Sequence, residues 1–206
     1  MKTVLYIHGM GGGEDSRIPN LLRTMMPDVN VVVRTNDFNP AVARSQIESW
    51  RRELNPDVVV GESMGANYAL LQRDVPVVLV CPALGGPWQF GTFAFLARIP
   101  GVSALLHRIF PQREGRRQVF DFGYDTLKNF KPLYRDVRLS VEDRRLSSFP
   151  TYAFFGTRDA YRLNGVVLPG RFRRDFGADS CEFFKGPHHM PEKELGKVVD
   201  KIREYC

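Results

Sequence analysis

The pentapeptide Gly61-Glu62-Ser63-Met64-Gly65 sits between an apolar run, Asp57-Val58-Val59-Val60, and a helical pattern, Ala66-Asn67-Tyr68-Ala69-Leu70-Leu71. A Gly-x-Ser-x-Gly phrase with strand before and helix after is the setting of a nucleophile elbow, a sharp turn that lifts the serine oxygen clear of the backbone. Glycines flank it because a Cβ at either place would strike neighbouring chain. A serine hydroxyl becomes a useful nucleophile when a base takes its proton, and an imidazole titrates near working pH. The imidazole in turn needs an acceptor on its other nitrogen, which fixes its tautomer and steadies the charge it gains. Asp159, in Phe155-Gly156-Thr157-Arg158-Asp159, and His188, in Gly186-Pro187-His188-His189-Met190, supply these groups in the order Ser63, Asp159, His188. That set points to acyl chemistry.

Such chemistry also needs two backbone donors for a developing oxyanion. The N–H of Met64, the residue after the serine, is one. The loop His8-Gly9-Met10-Gly11-Gly12-Gly13 offers the N–H of Met10 as the second. A phosphate-binding loop is excluded here because no Lys-Ser/Thr pair follows the glycines, and no dinucleotide fingerprint opens a nucleotide-binding half. His8 reads as a brace of this loop.

The elements that must position these residues follow from the apolar pattern. Lys2 to His8, Val29 to Val33, Asp57 to Val60, Val75 to Val80, Thr151 to Phe155 and Ser180 to Phe184 read as strands, several continuously apolar as strands buried on both faces are. Helices are expected from Ser16 to near Pro27, from Asn39-Pro40 to Leu54, from Met64 to Arg73 and from Pro191 to Tyr205. In the second of these Val42, Ile47, Trp50 and Leu54 are expected to share the buried face. Alternation of this kind predicts an α/β fold, a three-layer sandwich about a mostly parallel sheet. Ligands of such sheets lie beyond the carboxyl ends of the strands, and Ser63, Asp159 and the two histidines all fall on that edge.

The rhythm breaks between about residues 84 and 148, a stretch rich in Gly, Pro and aromatics such as Trp88, Phe90, Phe120, Phe122 and Phe130. A chain of 206 residues, 43% hydrophobic, suits one domain spanning 1–206 with this stretch as an insertion. The formal net charge is +6, and residues 98 to 145 carry 11 Lys/Arg against 6 Asp/Glu. This local excess reads either as a solvated basic face or as attraction for an anionic substrate, with Arg113, Arg116 and Arg117 the cluster that would meet it. No nucleic-acid motif accompanies it. The three cysteines, Cys81, Cys181 and Cys206, show no metal-ligand spacing and suit a reducing compartment. No apolar stretch is long enough to span a bilayer and no secretory leader is evident, so a cytoplasmic protein is expected. No metal or organic cofactor is implied.

With these motifs in place the chain resembles the α/β-hydrolase superfamily, and within it the compact YqiA/YcfP-like esterases. The likeness rests on Tyr6-Ile7-His8-Gly9-Met10, the elbow, Cys81-Pro82-Ala83, Phe155 to Asp159 and Gly186 to Met190. It implies a compact hydrolase fold in which residues 84–148 form a mainly helical cap. A Gly-x-His-Arg-Leu/Met phrase after the last strand of similar proteins selects His188 as base, whereas a Gly-x-x-His-Met-Pro alignment selects His189. The resemblance implies a serine hydrolase that cleaves a small-molecule carboxylic ester or thioester through an acyl-enzyme on Ser63. Two alternatives stand beside it: an acyltransferase or thioesterase acting on an anionic carrier-bound acyl group, and a non-catalytic binding protein of the same fold.

Overall fold

The computed structural model describes the backbone of all 206 residues and every side chain except those of Pro87 and Trp88. Six strands, β1 (Lys2–Ile7), β2 (Val29–Val33), β3 (Val58–Glu62), β4 (Val77–Val80), β5 (Thr151–Gly156) and β6 (Cys181–Phe184), form one sheet in the order β2-β1-β3-β4-β5-β6. Every pairing is parallel, with Leu5 opposite Val59 and Val60 opposite Val78 at its centre. Parallel neighbours need crossovers, and the helices that make them cover both faces. Alternate residues of the central strands therefore enter separate cores, while edge strand β2 buries only Val29, Val31 and Val33 in one of them. Leu5, Ile7, Val59 and Phe155 face α2 (Pro40–Leu54), α3 (Gly65–Leu70), α7 (Phe130–Arg145) and α8 (Pro169–Phe176). Val4, Tyr6, Val60 and Phe154 face α1 (Arg17–Met25) and α9 (Leu195–Tyr205). Each fully buried valine or leucine adds on the order of 1.5–3 kcal/mol.

Two sequence expectations change. On α2 the buried positions are Pro40, Ala43 and Ile47, while Val42 is 42% exposed. Position 43 lies one turn from Ile47 and shares its stripe, but position 42 is rotated off it. The helix after the elbow ends at Leu70, because Leu71 and Gln72 tighten to bonds with the carbonyls three residues back before the chain turns into β4 at Val77. Helix α8, in the β5-to-β6 crossover, had no counterpart in the sequence reading. Pro169 opens it and Gly177, at φ 99°, closes it, with Phe172 packed edge-on against Phe155.

Between β4 and β5 lie α4 (Pro87–Leu96), α5 (Val102–Ile109), α6 (Tyr124–Leu127) and the long α7. Their aromatics mostly meet one another. Phe90 stacks on Phe130 with centroids 3.8 Å apart, and Phe38, from the loop after β2, receives Phe120, Phe122 and Phe130 at 5.3–5.4 Å. The side chain of Trp88 lies outside the described residues. No helix among the described residues is long and apolar enough to cross a membrane.

The sheet order places a topological switch between β1 and β3: the chain leaves β1 towards β2 on one side and returns to β3 on the other. The crevice beyond the carboxyl ends of such a strand pair is where open α/β sheets bind ligands. Here it is bounded by the glycine loop after β1 and the turn after β3.

Candidate active site

Ser63 occupies the turn between β3 and α3 at φ 50°, the left-handed region that non-glycine residues avoid. The turn is held on both sides, since the Ser63 N–H donates to the Val80 carbonyl at 2.9 Å and its carbonyl accepts from Ala83 N–H at 3.0 Å. Its glycines are there for space. A Cβ on Gly61 would lie 2.7 Å from Ala66 Cα, and one on Gly65 would lie 2.2 Å from the Ile7 carbonyl oxygen. The elbow can therefore pack against the end of β1 only with glycine at these places.

Asp159 follows β5, and its Oδ1 accepts from Tyr161 N–H at 2.9 Å. His188 follows β6 in a loop that crosses the end of β5 closely: a Cβ on Gly156 would come within 2.4 Å of the Pro187 carbonyl oxygen. Arg158 N–H donates to the Gly186 carbonyl at 2.9 Å and pins that crossing. The consequence is a continuous hydrogen-bonded line, with Asp159 Oδ2 2.7 Å from His188 Nδ1 and His188 Nε2 2.8 Å from Ser63 Oγ. The Asp159 side chain is wholly buried and that of His188 nearly so, whereas Ser63 is partly open to solvent. The Tyr161 ring meets the His188 ring edge-on at 4.6 Å.

His189 is placed differently. Its side chain is 72% exposed and its Nδ1 stands 3.9 Å from Glu62 Oε1, an ion contact too long for a hydrogen bond. Glu62 also accepts a 2.7 Å hydrogen bond from the Tyr6 hydroxyl. The nearby Glu62 carboxylate raises the His189 pKa above its ordinary value against the opposing effects of partial burial and the Arg113 and Arg17 guanidinium groups. Burial alone would push the Glu62 carboxyl up, but His189 and the Tyr6 hydroxyl outweigh it and hold the group below its ordinary value.

The glycine loop is braced from within and from the stretch between α5 and α6. Gly12 N–H closes a turn on the Gly9 carbonyl at 3.0 Å with Gly11 at φ 69°. His8 is buried, which lowers its pKa, and its neutral ring bridges the loop: Nδ1 donates to the Gly9 carbonyl at 2.8 Å and Nε2 accepts from Asn36 N–H at 3.2 Å. Gln118, between α5 and α6 and buried, accepts from Gly11 N–H at 3.1 Å and donates to the carbonyls of Asn36 and Asp37. The N–H groups of Met10 and Met64 donate to no acceptor among the described residues. Gln118 carried no sequence signal, because a lone glutamine in a loop reads as surface until the fold buries it.

Arg116 pairs with Glu14 at 3.2 Å and Arg117 with Asp15 at 2.8 Å, flanking a bridge between Gly13 and Arg117. Arg113 makes no ion pair among the described residues and is close enough to His189 to act on its charge. Cys81 is buried behind the pair, its thiol within 4.8 Å of donor atoms of Asp159 and His188, and burial pushes its pKa well up. A protonated thiol is a poor metal ligand. A cavity of about 520 Å³ opens between α7 and α8, walled by Leu84, Tyr134, Val137 and Phe172 together with Lys131 and Arg138, and neither Ser63 nor His188 lines it.

The model of the alpha/beta hydrolase family matches residues 4–198. No curated protein matches the chain. Among solved structures it is similar to a monoacylglycerol lipase of Paleococcus ferrophilus, at TM-score 0.66 and 18% identity over 99% of this chain and 95% of that one. It is similar also to a carboxylesterase of Nitrososphaera gargenis, at TM-score 0.54 and 12% identity over 99% and 89%. The thioesterase domain of a curacin biosynthetic pathway aligns at TM-score 0.58 and 14% identity over 98% and 91%. At such identities the likeness to these structures is one of fold. With the family model covering nearly the whole length and the parallel sheet carrying its elbow after β3, the chain belongs to the alpha/beta hydrolase family.

Proposed function

We propose that the protein is a serine hydrolase that cleaves a carboxylic ester or thioester through an acyl-enzyme on Ser63, with His188 as base and Asp159 as its orienting acid. The observation that carries this reading is the unbroken line Ser63 Oγ, His188 Nε2 and Nδ1, Asp159 Oδ2, with spacings of 2.8 and 2.7 Å. With Asp159 ionised, Nδ1 carries the proton and Nε2 is free to accept one from Ser63. Ser63 Oγ attacks the acyl carbon while its proton passes to Nε2, and the carbonyl π pair moves onto oxygen. Collapse of that intermediate expels the alcohol or thiol, which takes the proton from His188. A water then repeats the sequence on the acyl-enzyme, giving up its proton to His188 and releasing the carboxylic acid and free serine. The two unspent amides, Met10 and Met64, serve as the oxyanion donors in this reading.

We read the part of residues 84–148 that precedes α7 as a cap, α7 itself covering the sheet, and Arg113 as the side of the entrance that favours an anionic acyl group or leaving group. Arg116 and Arg117 are paired with acids, and Arg113 is the cation of the three without one among the described residues. This charge is also what favours the second reading, a thioesterase acting on an anionic carrier-bound acyl group.

A fluorophosphonate probe tests the chemistry. Labelling of the wild-type protein that disappears in Ser63→Ala and falls steeply in His188→Ala supports it, while undiminished labelling in Ser63→Ala refutes it. Arg113→Ala is expected to slow turnover of anionic esters and leave neutral short esters unchanged, and equal losses on both would remove the charge-selective part.

A further inference from the structure

A carboxylate placed next to a nucleophile and taken largely out of water needs an electrostatic reason, since burial disfavours its charged form. Glu62 immediately precedes Ser63 and has a fixed position: Oε2 accepts from the Tyr6 hydroxyl at 2.7 Å, and Oε1 faces His189 Nδ1 at 3.9 Å. The His189 ring lies 5.6 Å, centroid to centroid, from the His188 ring, tilted edge-on. The acid and the two histidines thus make a compact row of charges beside the serine.

We propose that Glu62 and His189 are paired positioning residues for His188, the anion of Glu62 favouring the imidazolium and the cation of His189 offsetting it. This rests on the reading of His188 as the base. Asp159 already gives His188 one carboxylate at 2.7 Å. A second uncompensated carboxylate would add to the attraction for a proton on His188 and work against the transfer it must accept from Ser63. His189 restores the balance, and as the solvent-facing member of the row it can keep its own charge hydrated. It also explains two adjacent histidines, one ring directed to Ser63 and the other to the residue before it.

The groups that act on Glu62 are Tyr6 from β1, His8 just after it, Cys81 just after β4, and His188 and His189 from the loop after β6, while Arg17 from the start of α1 and Arg113 from the stretch between α5 and α6 act on His189. Tyr6 is neutral because burial beside Glu62 pushes its hydroxyl far up, and His8 is neutral because burial lowers its pKa. Arg17 is anchored by a 2.5 Å hydrogen bond to the Met190 carbonyl. His189 is therefore the solvent-facing cation of the row, because Glu62 raises its pKa.

The test is the pH dependence of kcat/KM for a neutral ester in wild type, H189Q, H189R and the double variant E62Q/H189Q, with fluorophosphonate labelling and thermal melting of each. Two unit charges 5.6 Å apart across a largely hydrated gap shift each other's titration by about half a pH unit. H189Q removes the cation, so the acid limb moves up by about that amount. H189R keeps the cation and holds the limb at its wild-type position, and adding E62Q to H189Q brings the limb back down. Acid limbs that coincide in H189Q and H189R overturn the proposal, as does a limb in E62Q/H189Q that stays where H189Q left it. A purely structural tether would lower kcat in these variants without moving the limb. Because His189 is exposed, its two variants decide the matter even if Glu62→Gln fails to fold. Absence of labelling in the wild-type protein is a separate failure, that of the reading of Ser63 itself.

Discussion

Replacing Asp159 by asparagine changes one atom of the site and is expected to reduce kcat by about 10⁴-fold, equivalent to ~5.5 kcal/mol of transition-state stabilisation. The orientation of the new amide follows from its surroundings. Oδ1 of Asp159 accepts from Tyr161 N–H at 2.9 Å in a pocket where the side chain is fully buried. Turning the NH₂ group towards that N–H would set two buried donors against each other, at a cost of about 1–3 kcal/mol. The carbonyl oxygen therefore stays with Tyr161, and the NH₂ takes the place of Oδ2, 2.7 Å from His188 Nδ1. A donor there forces Nδ1 to accept and sends the imidazole proton to Nε2, where it points at Ser63 Oγ. The base then has no lone pair for the serine proton. Steady-state hydrolysis of a chromogenic ester measures the loss, and Asp159→Ala is the control. Asparagine should be at least as damaging as alanine, although it is closer to aspartate in shape. Retention of more than about a tenth of wild-type kcat in Asp159→Asn would refute the tautomer argument.

Other expectations follow from the same contacts. Gly65→Ala drives a methyl group to 2.2 Å from the Ile7 carbonyl oxygen, so urea denaturation should show about 3 kcal/mol of lost stability, and an unchanged midpoint would contradict the close packing of elbow on β1. Arg144, buried on α7, donates to Thr151 Oγ1 at 2.8 Å and to the carbonyls of Gln72, Val75 and Pro150, and burial lowers its pKa to about 10. Arg144→Met strands these acceptors and should destabilise by roughly 3 kcal/mol in the same assay. Gln118→Leu removes the partner of Gly11 N–H and should lower kcat more than it changes KM, as expected if the glycine loop forms the oxyanion site. The Glu62–His189 pair also makes a signed prediction for stability. Glu62 has a folded pKa below its unfolded value of about 4.5, so its contribution is present above that pH and lost as pH falls through the folded pKa. His189 has a folded pKa above its unfolded value of about 6.5, so its contribution is complete below 6.5 and lost as pH rises through the folded pKa. The difference in Tm between wild type and H189Q should therefore be larger at pH 5.5 than at pH 8, and a difference constant with pH would count against the pair.

Much of the architecture was legible in the residue pattern because it is local. Continuous apolar runs marked β1, β3 and β4, the Asn39-Pro40 start marked α2, and glycines marked the elbow and the loop after β1. These signals come from backbone sterics and periodic burial, which neighbouring residues express by themselves. Helix α8 escaped notice because its charged stretch Arg171 to Asp175 buries only Pro169 and Phe172, too few apolar positions for a visible period. Val42 was misassigned to the α2 core because three apolar candidates compete within one turn, and only packing against the sheet selects Ala43.

The sequence by itself determined that a serine, an acid and a histidine would lie at the carboxyl edge of one parallel sheet, since strand order and strand polarity put chain ends of the same kind on the same side. Tertiary structure decided which histidine faces the serine. His188 and His189 are adjacent and chemically identical, and the two motif phrases that fit the chain select different ones, the preferred one selecting His188. The difference arises where the loop after β6 crosses Gly156, a contact between residues about 30 positions apart that turns one ring towards Ser63 and the other towards Glu62. The same holds for Glu62 and Gln118. Their roles exist only as distances to Tyr6, His189 and Gly11, and those distances are set by the packing of β1, β3 and the insertion together.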